Sequence, residues 1–337
     1  MSTYDGSEQA LELVTGFQKS FVTRLEKYST EARSPLRFEK VEWQRNEGKN
    51  GGGSRYFSAS NRVFNRASVN VSHIHYDDDP AKKLASATAL SAIIHPENPH
   101  APSLHTHISW TEIKGQGGYW RVMADLNPSI ANEEDRQTLL DTFHSVASSQ
   151  CEEALAQGDK YFYIPALERH RGVVHFYLEQ YRTDDTRADY EMASRFGEAV
   201  IQCYGDLLTK YISVNITDSD REAQLAYHSL YLLQVLTLDR GTTSGLLVHN
   251  QNDLGIMGSL PSRVNRALLQ SWVKLMDEKQ SLLLEKIITA IPDEGEVSDS
   301  VRLSLAQTVR EHYQKYPEAL RNQASGNVVP STVNNHR

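Results

Sequence analysis

Cysteine is scarce in this sequence, which has only Cys151 and Cys203 among its 337 residues. A disulfide-held secreted domain would normally use several cysteines, so a reducing compartment fits better. Uninterrupted apolar runs long enough to span a bilayer are also missing, and residues 1–6 lack the basic and apolar regions of a signal peptide. We therefore predict a cytoplasmic protein without a membrane span.

Basic residues are not in excess either. The net charge is −8 at neutral pH, and no basic patch interrupts it. A negative field repels polyanions, so a nucleic-acid partner is not expected. Hydrophobic residues make up 39% of the chain and charged residues 23%, which is ordinary for a globular protein with a sizeable core.

The spacing of apolar residues predicts helices at both ends of the chain and strands in the middle. Helices are expected at residues 8–31, 133–156, 187–211, 221–231, 262–291 and 299–313. Strands are expected within residues 40–77 and at 89–95, 104–113, 119–126, 173–181 and 232–238.

Clustered strands, rather than strict alternation of strands and helices, favour an α+β fold. We predict a large, mostly antiparallel sheet with helices on both sides. No Gly-, Ser- or Pro-rich linker divides the chain. The sequence therefore predicts one domain over residues 1–324, followed by a disordered polar tail over residues 325–337.

Histidines are dense between residues 73 and 107. Residues two apart in a strand project from the same face, so His73 with His75, or His105 with His107, could form a His-x-His metal claw. Partly buried, hydrogen-bonded histidines explain each pair equally well.

Three prolines occur between Ile94 and His105, in the segment Ile-His-Pro-Glu-Asn-Pro-His-Ala-Pro-Ser-Leu-His. Prolines restrict the backbone, so this segment predicts a rigid connection that holds His105 in a defined place. A purely structural turn is the alternative interpretation.

The run from Ala89 to His105 resembles the signature of oxygen-dependent coproporphyrinogen III oxidases, in which a serine-bearing strand leads into His-Pro-x-Asn-Pro-x-x-Pro-Thr-x-His. Further agreement extends the resemblance over about residues 10 to 290. The matching stretches are Gly51-Gly52-Gly53, Val69-Asn70-Val71-Ser72, Asp125-Leu126-Asn127-Pro128, Asp239-Arg240-Gly241-Thr242 and Ser259-Leu260-Pro261.

The resemblance implies the family reaction, in which dioxygen oxidises coproporphyrinogen III and two propionates become vinyl groups. Carbon dioxide and hydrogen peroxide are released, and no organic cofactor is required. The electron-rich pyrroles supply the electrons, so the protein need mainly orient the substrate and provide a base in a dry cavity.

Several residues match family positions with assigned roles. Asp125 is expected to bind and deprotonate a pyrrole N–H, although an Asp before Pro128 could also cap a turn or a helix. His105 matches the proton donor, and Ser91 matches a substrate-contacting serine. Arg171 is expected to bind a propionate in a bidentate contact.

Three arginines of the family pattern are replaced here, by Ser109, Leu167 and Asn252. Each charge-assisted contact to a carboxylate contributes about 1.5–3 kcal/mol, so their loss weakens binding of a tetracarboxylate. Arg121, His107 and Asn252 are the remaining polar candidates for substrate contacts. A tryptophan and glycine run of the family is also replaced, by residues 119–124, which predicts a smaller or differently shaped cavity.

Some family members are assigned a metal site at four histidines. Here His95, His105 and His144 match three of them, and the fourth position is Ala166. A divalent site would be incomplete, so no metal is predicted to be required.

Three functions remain open. The chain could oxidise coproporphyrinogen III, it could oxidise another electron-rich aromatic with fewer carboxylates, or it could bind a tetrapyrrole without catalysis. The small-molecule substrate is the expected partner. The family also implies a homodimer, through the region that contains the Asp-Arg-Gly-Thr and Ser-Leu-Pro motifs.

Overall fold

The computed structural model of the chain describes residues 6–76, 79–249 and 251–326. Its strands are β1 (Glu39–Gln44), β2 (Gly51–Ser58), β3 (Phe64–His75), β4 (Leu84–Pro96), β5 (Ser103–Ile113), β6 (Gly117–Asn127), β7 (Tyr163–Ile164), β8 (Arg169–His170) and β9 (Val174–Tyr181). Its helices are α1 (Gly6–Glu31), α2 (Glu133–Val146), α3 (Cys151–Phe162), α4 (Thr186–Thr209), α5 (Asp218–Thr237), α6 (Arg240–Val248), α7 (Asp253–Ile256), α8 (Arg266–Trp272), α9 (Glu278–Ala290) and α10 (Asp299–Lys315).

A seven-stranded antiparallel sheet in the order β1-β2-β3-β4-β5-β6-β9 organises the described residues. Helices cover both of its faces, which confirms the predicted α+β class. β7 and β8 form a separate two-stranded ladder. None of the helices in this part of the chain is both long and apolar enough to cross a bilayer.

The two faces of the sheet have different partners because strand residues alternate between faces. Even-numbered residues of β4, such as Leu90 and Ile94, are buried in one core with residues of α1, α2 and α4. A second core forms among α5, α6 and α8 to α10 on the opposite face, and Ile93 of β4 belongs to it. Odd-numbered residues of β4, β5 and β6 therefore face the second helical layer.

Three predicted elements differ from the structure. Residues 232–238 belong to the end of α5 rather than to a strand. The run is apolar in sequence because that helix is surrounded by the second core, and a short apolar run does not distinguish a buried helix from a strand. The predicted helix 262–291 is instead α8 and α9, and Asp277 caps the start of α9 by accepting hydrogen bonds from two backbone N–H groups.

The predicted helix 133–156 is also interrupted. Ala147 leaves the helical conformation at the end of α2, and α3 starts at Cys151. The expected disordered tail lies outside the described residues from position 327 onward. The single domain over residues 1–324 remains a prediction, which limited proteolysis would test.

Candidate active site

A cavity of about 310 Å³ lies between the sheet and the second helical layer. Pockets for drug-sized ligands span roughly 300–1,000 Å³, so this one is at the small end of that range. Its floor consists of strand residues on one face of the sheet, and its roof comes from α5 to α7 and the segment after α7. The floor residues include Asn70, Ser72, Ala87, Ala89, Ser91, Ile93, His105, His107, Ser109, Thr111, Tyr119, Arg121, Met123 and Tyr177.

The register of the sheet arranges these floor residues in rows. One row runs from Ile93 through His105 and Asp125 to His175. Two positions further along β5, Ser91, His107, Met123 and Tyr177 form the next row. In the third row, Ser109 lies directly opposite Arg121. Directly opposed residues have Cβ atoms about 4.5–5.5 Å apart, so each row brings side chains of different strands together.

His105, Asp125 and Arg171 form a tight polar cluster in the first row. Nη2 of Arg171 donates to Oδ2 of Asp125 over 2.7 Å. His105 Nδ1 lies 3.1 Å from Asp125 Oδ1 and 3.1 Å from Nη2 of Arg171. Asn127 also donates to Asp125 Oδ2 over 2.6 Å. The predicted proximity of Asp125, His105 and Arg171 is therefore present.

Asp125 is fully buried and does not line the cavity, whereas His105 does. Burial by itself would raise the pKa of Asp125, but the charges of Arg171 and His105 outweigh it and hold the pKa below the ordinary value. A carboxylate with a lowered pKa is a weak base. The geometry therefore does not support the expectation that Asp125 contacts and deprotonates the substrate directly.

Both contacts of the His105 imidazole involve Nδ1. Within the described parts of the chain, Nε2 has no hydrogen bond, and the 16% exposed side chain lines the cavity. Asp125 thus lies behind the ring while Nε2 remains for a ligand. A buried carboxylate in this position orients an imidazole and stabilises its protonated form.

Arg171 is buried behind the cluster and is not part of the cavity lining. Its Nη1 donates to Gln234 Oε1 over 2.7 Å, and its guanidinium carbon lies 4.5 Å from the Phe162 ring centre and 5.0 Å from that of Tyr231. Asp125, Gln234 and two rings already enclose the guanidinium, so the geometry does not support the expected contact with a substrate carboxylate, which stays a prediction.

Gly172 allows Arg171 to reach this place. It has a φ of +83°, a conformation that favours glycine, and an added Cβ would lie 2.8 Å from the carbonyl oxygen of Leu126. The chain reverses here, and the N–H of Arg171 donates to the carbonyl of Phe162 over 3.0 Å. His175 Nε2 contacts the Arg171 carbonyl at 2.6 Å.

Ser91 and His107 are opposite each other and both line the cavity, and their contact with a substrate stays a prediction. His107 Nε2 lies 3.0 Å from the Ser109 hydroxyl. Burial, followed by repulsion from Arg121 and His105, lowers the pKa of His107 well below its ordinary value. His107 is therefore a neutral hydrogen-bonding group at neutral pH. Asn252 also lines the cavity, at the start of α7.

Arg121 lines the cavity, but its charge is largely balanced by Glu179. Nε and Nη2 of Arg121 donate to the two carboxylate oxygens over 2.5 and 2.8 Å. Tyr177 donates to the same carboxylate over 2.5 Å. Burial acts against the charged form, but Glu179 outweighs it and raises the pKa of Arg121 well above its ordinary value. Arg121 is the one arginine or lysine among the described lining residues.

The predicted metal histidines do not come together. His95 is fully buried, and its ring nitrogens contact the Ser103 hydroxyl at 3.0 Å and the Ser259 carbonyl at 3.1 Å. His144 is in α2, whose residues Leu139 and Phe143 pack on the other face of the sheet. Over residues 6–76, 79–249 and 251–326, no three His, Cys, Asp or Glu side chains are arranged to hold a metal ion.

Sequence reasoning missed Gln234, Tyr177 and Glu179. Gln234 is fully buried and was detectable as the lone polar side chain in an apolar run, because a buried amide needs a partner. Nothing in the sequence of β9 indicates that Tyr177 and Glu179 would meet Arg121. That contact depends on the pairing of β6 with β9.

Comparison with known proteins identifies the family. The family model for coproporphyrinogen III oxidase matches residues 9–284. An oxygen-dependent coproporphyrinogen-III oxidase of Drosophila melanogaster is 28% identical over 277 residues, which are 74% of this chain and 69% of that protein. The mitochondrial enzymes of Rattus norvegicus and Mus musculus are 26% and 25% identical over 248 residues, which are 65% of this chain and 55% of each enzyme. The chain therefore belongs to the coproporphyrinogen III oxidase family.

Proposed function

We propose that the protein is an oxidoreductase that uses dioxygen to oxidise an electron-rich aromatic substrate carrying a ring N–H, in the manner of coproporphyrinogen oxidation. The observation that supports this proposal most directly is the His105 imidazole, which faces the cavity and has the buried Asp125 and Arg171 behind it. Family membership supports the same reaction type.

In this proposal His105 is the proton acceptor, with Nδ1 protonated toward Asp125 and Nε2 free to accept, which reverses the donor role that the family resemblance implies. Loss of a ring N–H proton to Nε2 enriches the heteroaromatic ring in electrons and makes it reactive toward dioxygen. Asp125 stabilises the imidazolium that forms, and Arg171 keeps Asp125 ionised. For a propionate substituent the reaction balances as R–CH2–CH2–COO⁻ + O2 + H⁺ giving R–CH=CH2 + CO2 + H2O2. The substrate supplies the electrons, so the balance needs no redox cofactor.

Coproporphyrinogen III is the first candidate substrate, because it is the substrate in the names of the relatives. It carries four carboxylates. The cavity offers one arginine that is already paired with Glu179, while Ser109 and Asn252 line the wall in place of two family arginines. This balance of charges favours the second candidate, a related aromatic with fewer carboxylates.

Oxygen consumption tests the reaction. Purified protein is supplied with coproporphyrinogen III and with porphyrinogens that bear two carboxylates, and dioxygen uptake and carbon dioxide release are followed. We expect turnover to decrease by about 10²–10⁴-fold in His105→Asn, since a general base contributes that much. His144→Asn, on the opposite side of the sheet, is the matched control and should leave turnover unchanged.

Two results would contradict these proposals. Turnover of coproporphyrinogen III at the efficiency of its relatives would eliminate the low-carboxylate substrate. Tight porphyrin binding without dioxygen uptake, unaffected by His105→Asn, would instead indicate a non-catalytic tetrapyrrole-binding protein.

Releasing Arg121 from its partner tests the charge argument separately. In Glu179→Gln the guanidinium keeps its place but loses its counter-charge. We expect binding of coproporphyrin, measured by its fluorescence, to tighten by about tenfold, because a charge-assisted hydrogen bond contributes about 1.5–3 kcal/mol. Glu191→Gln, on α4 and remote from the cavity, is the control. Unchanged affinity in Glu179→Gln would show that Arg121 does not limit carboxylate binding.

We also propose a homodimer and a cytoplasmic location. The motifs that form the dimer in the family are retained at residues 239–242 and 259–261. Light scattering during size-exclusion chromatography tests the dimer. Imaging of a fluorescent fusion tests the location. The rat and mouse relatives are named as mitochondrial, so mitochondrial fluorescence would contradict the cytoplasmic location.

A further inference from the structure

Three arginines are buried together at the β2 and β3 end of the sheet. Arg55, Arg66 and Arg302 are 8%, 6% and 3% exposed. The guanidinium carbons of Arg55 and Arg66 lie 5.2 and 5.7 Å from the centre of the same ring, Phe57. Arg302 reaches this place from the first turns of α10. The three side chains form what we name the arginine cluster.

The arginine cluster has too few counter-charges. Arg302 donates from Nη1 to Asp299 over 3.0 Å and from Nη2 to the Leu260 carbonyl over 3.1 Å. Arg66 donates from Nε to the Gly258 carbonyl over 3.1 Å. Among the residues that the structure describes, Asp299 is the acidic group that acts on the cluster, and its side chain is 66% exposed. Three positive charges therefore share one solvated carboxylate.

Arg55 is the least satisfied of the three. Among residues 6–76, 79–249 and 251–326 its side chain has no hydrogen bond and no ion pair, and its Nε is buried without a partner. Nε of Arg302 is likewise buried and unpaired. A guanidinium does not deprotonate at neutral pH, so burial of one without a partner is costly.

Two other arginines of this protein show how a guanidinium away from solvent is usually neutralised. Arg171 pairs with Asp125, and Arg121 pairs with Glu179, one carboxylate for each guanidinium. Repulsion within the arginine cluster is visible at Arg66, where burial, followed by the charges of Arg302 and Arg55, lowers the pKa to about 10. The cluster thus lacks a negative group that the rest of the fold provides elsewhere.

The position of the cluster adjoins the cavity. Arg55 lies directly opposite Asn70 in the register of β2 and β3, and Asn70 lines the cavity floor. Gly258, whose carbonyl accepts from Arg66, precedes Ser259 in the cavity wall. On its other side the cluster borders solvent at Asp299. The cluster therefore lies between the cavity floor and solvent, although none of its three arginines lines the cavity itself.

We propose that Arg55, Arg66 and Arg302 form a binding site for an oxyanion, a carboxylate or a phosphate, beside the cavity. The missing negative charge and the unpaired guanidinium N–H groups match such a ligand, because carboxylate and phosphate accept the paired N–H donors of arginine. The oxyanion belongs either to a free anion or to a substituent of the cavity ligand. With a free anion as occupant the site is independent of the proposed oxidation, and with a substituent of the cavity ligand it rests on the proposed function.

The test uses inorganic phosphate and the variant Arg55→Met. Thermal unfolding is followed in sodium chloride and in sodium phosphate of equal ionic strength. Phosphate stabilises proteins generally by exclusion from their surfaces, so the comparison with the variant isolates specific binding. Arg62→Met removes an exposed arginine in the loop before β3 and is the control of equal charge.

We expect phosphate to raise the unfolding midpoint of wild type and Arg62→Met by several degrees more than that of Arg55→Met. In chloride, Arg55→Met should unfold at the wild-type temperature or about 2–4 °C above it, because it removes an uncompensated buried charge. Equal phosphate responses in wild type and Arg55→Met would overturn the proposal. So would a loss of stability in chloride, or failure to fold, in Arg55→Met alone.

Competition identifies the source of the oxyanion. Coproporphyrin, a stable tetracarboxylate, is bound to wild type and titrated with phosphate. Displacement supports a carboxylate of the cavity ligand as the natural occupant, and simultaneous binding supports a free anion. Absence of any saturable phosphate binding to wild type, measured by titration calorimetry, would contradict both.

Discussion

Asp125 is completely buried beside the guanidinium of Arg171, and its contribution at the residue scale follows from that pairing. The carboxylate and Arg171 are both inaccessible to solvent, with 2.7 Å between Oδ2 and Nη2. Removing one partner of such a pair lowers the free energy of unfolding strongly, because the other charge stays buried without compensation. Removing both partners lowers it much less.

Asp125→Asn should therefore lower the free energy of unfolding by about 3–5 kcal/mol. The double variant Asp125→Asn/Arg171→Met should recover much of this loss, while neither protein regains oxidation. The folded-state pKa of Asp125 lies below its unfolded value, so the contribution is complete above that unfolded value and is lost only as pH falls through the folded one. Urea unfolding between pH 8 and pH 5 should give a constant difference. A double variant no more stable than the single one would contradict the ion-pair account.

The resemblance to a family located Asp125, His105 and Arg171, and the structure does bring them together. The resemblance could not predict which way each side chain points. Arg171 was assigned to a substrate carboxylate, yet its guanidinium lies behind the cavity against Asp125 and Gln234. The orientation of a long side chain depends on the partners that other segments supply, and Gln234 is 63 residues away along the chain.

At the scale of secondary-structure elements, the turn from β8 to β9 determines where Arg171 lies. Gly172 has a positive φ, and the neighbouring carbonyl of Leu126 leaves no room for a side chain. The same close approach aligns β9 with β6, which places His175 opposite Asp125. The backbone conformation at Gly172 therefore determines whether the Arg171 charge lies beside Asp125.

Gly172→Ala should displace Arg171 and uncouple it from Asp125. We expect a loss of stability of about 1–3 kcal/mol from the strained backbone, and a larger proportional decrease in kcat than in KM. Gly115→Ala is the matched control, because Gly115 also has a positive φ but an added Cβ there meets no atom within 4 Å. Equal effects of the two substitutions on kcat would show that backbone strain alone, and not the position of Arg171, accounts for the loss.

Elements with clear periodicity were predictable, including α1 and the central strands, because one face of each is continuously apolar. The end of α5 was not. Its residues from Leu232 to Leu236 are buried on every side, so no polar face marks the helical period. The contact between Arg121 and Glu179 was equally hidden, since strand pairing between distant segments leaves no trace in local sequence.

We expect the whole molecule to be sensitive to acid, because it buries histidines whose pKa values are lowered. Burial lowers the pKa of His228 to about 3, and it also holds the pKa of His95 well below its ordinary value. The two rings are adjacent, with centroids 5.3 Å apart. In the unfolded chain these rings accept protons below about pH 6.5, while in the folded protein they do not. Stability should therefore decrease as pH falls from 6.5 toward 3.

His228→Gln should make this dependence shallower. One buried neutral histidine contributes up to about 1.4 kcal/mol per pH unit in that window. The difference in free energy of unfolding between pH 7 and pH 5 should accordingly shrink by about 2 kcal/mol in the variant, measured by urea titration. His100→Gln, at a partly exposed histidine paired with Asp220, is the control. An unchanged slope in His228→Gln would assign the acid sensitivity to other groups.

Alternation of side chains between the two faces gives the central strands of the sheet two separate functions. On β4, Leu90 and Ala92 hold the core with α1 and α4, whereas Ser91 and Ile93 belong to the cavity face. Substitution of the cavity-facing residues can consequently change which ligand binds without destabilising the core on the other face. Ser109 stands where the family resemblance implies an arginine, and Arg121 lies directly opposite it on β6. About a dozen further cavity-facing positions on β3 to β6 are open to the same kind of exchange.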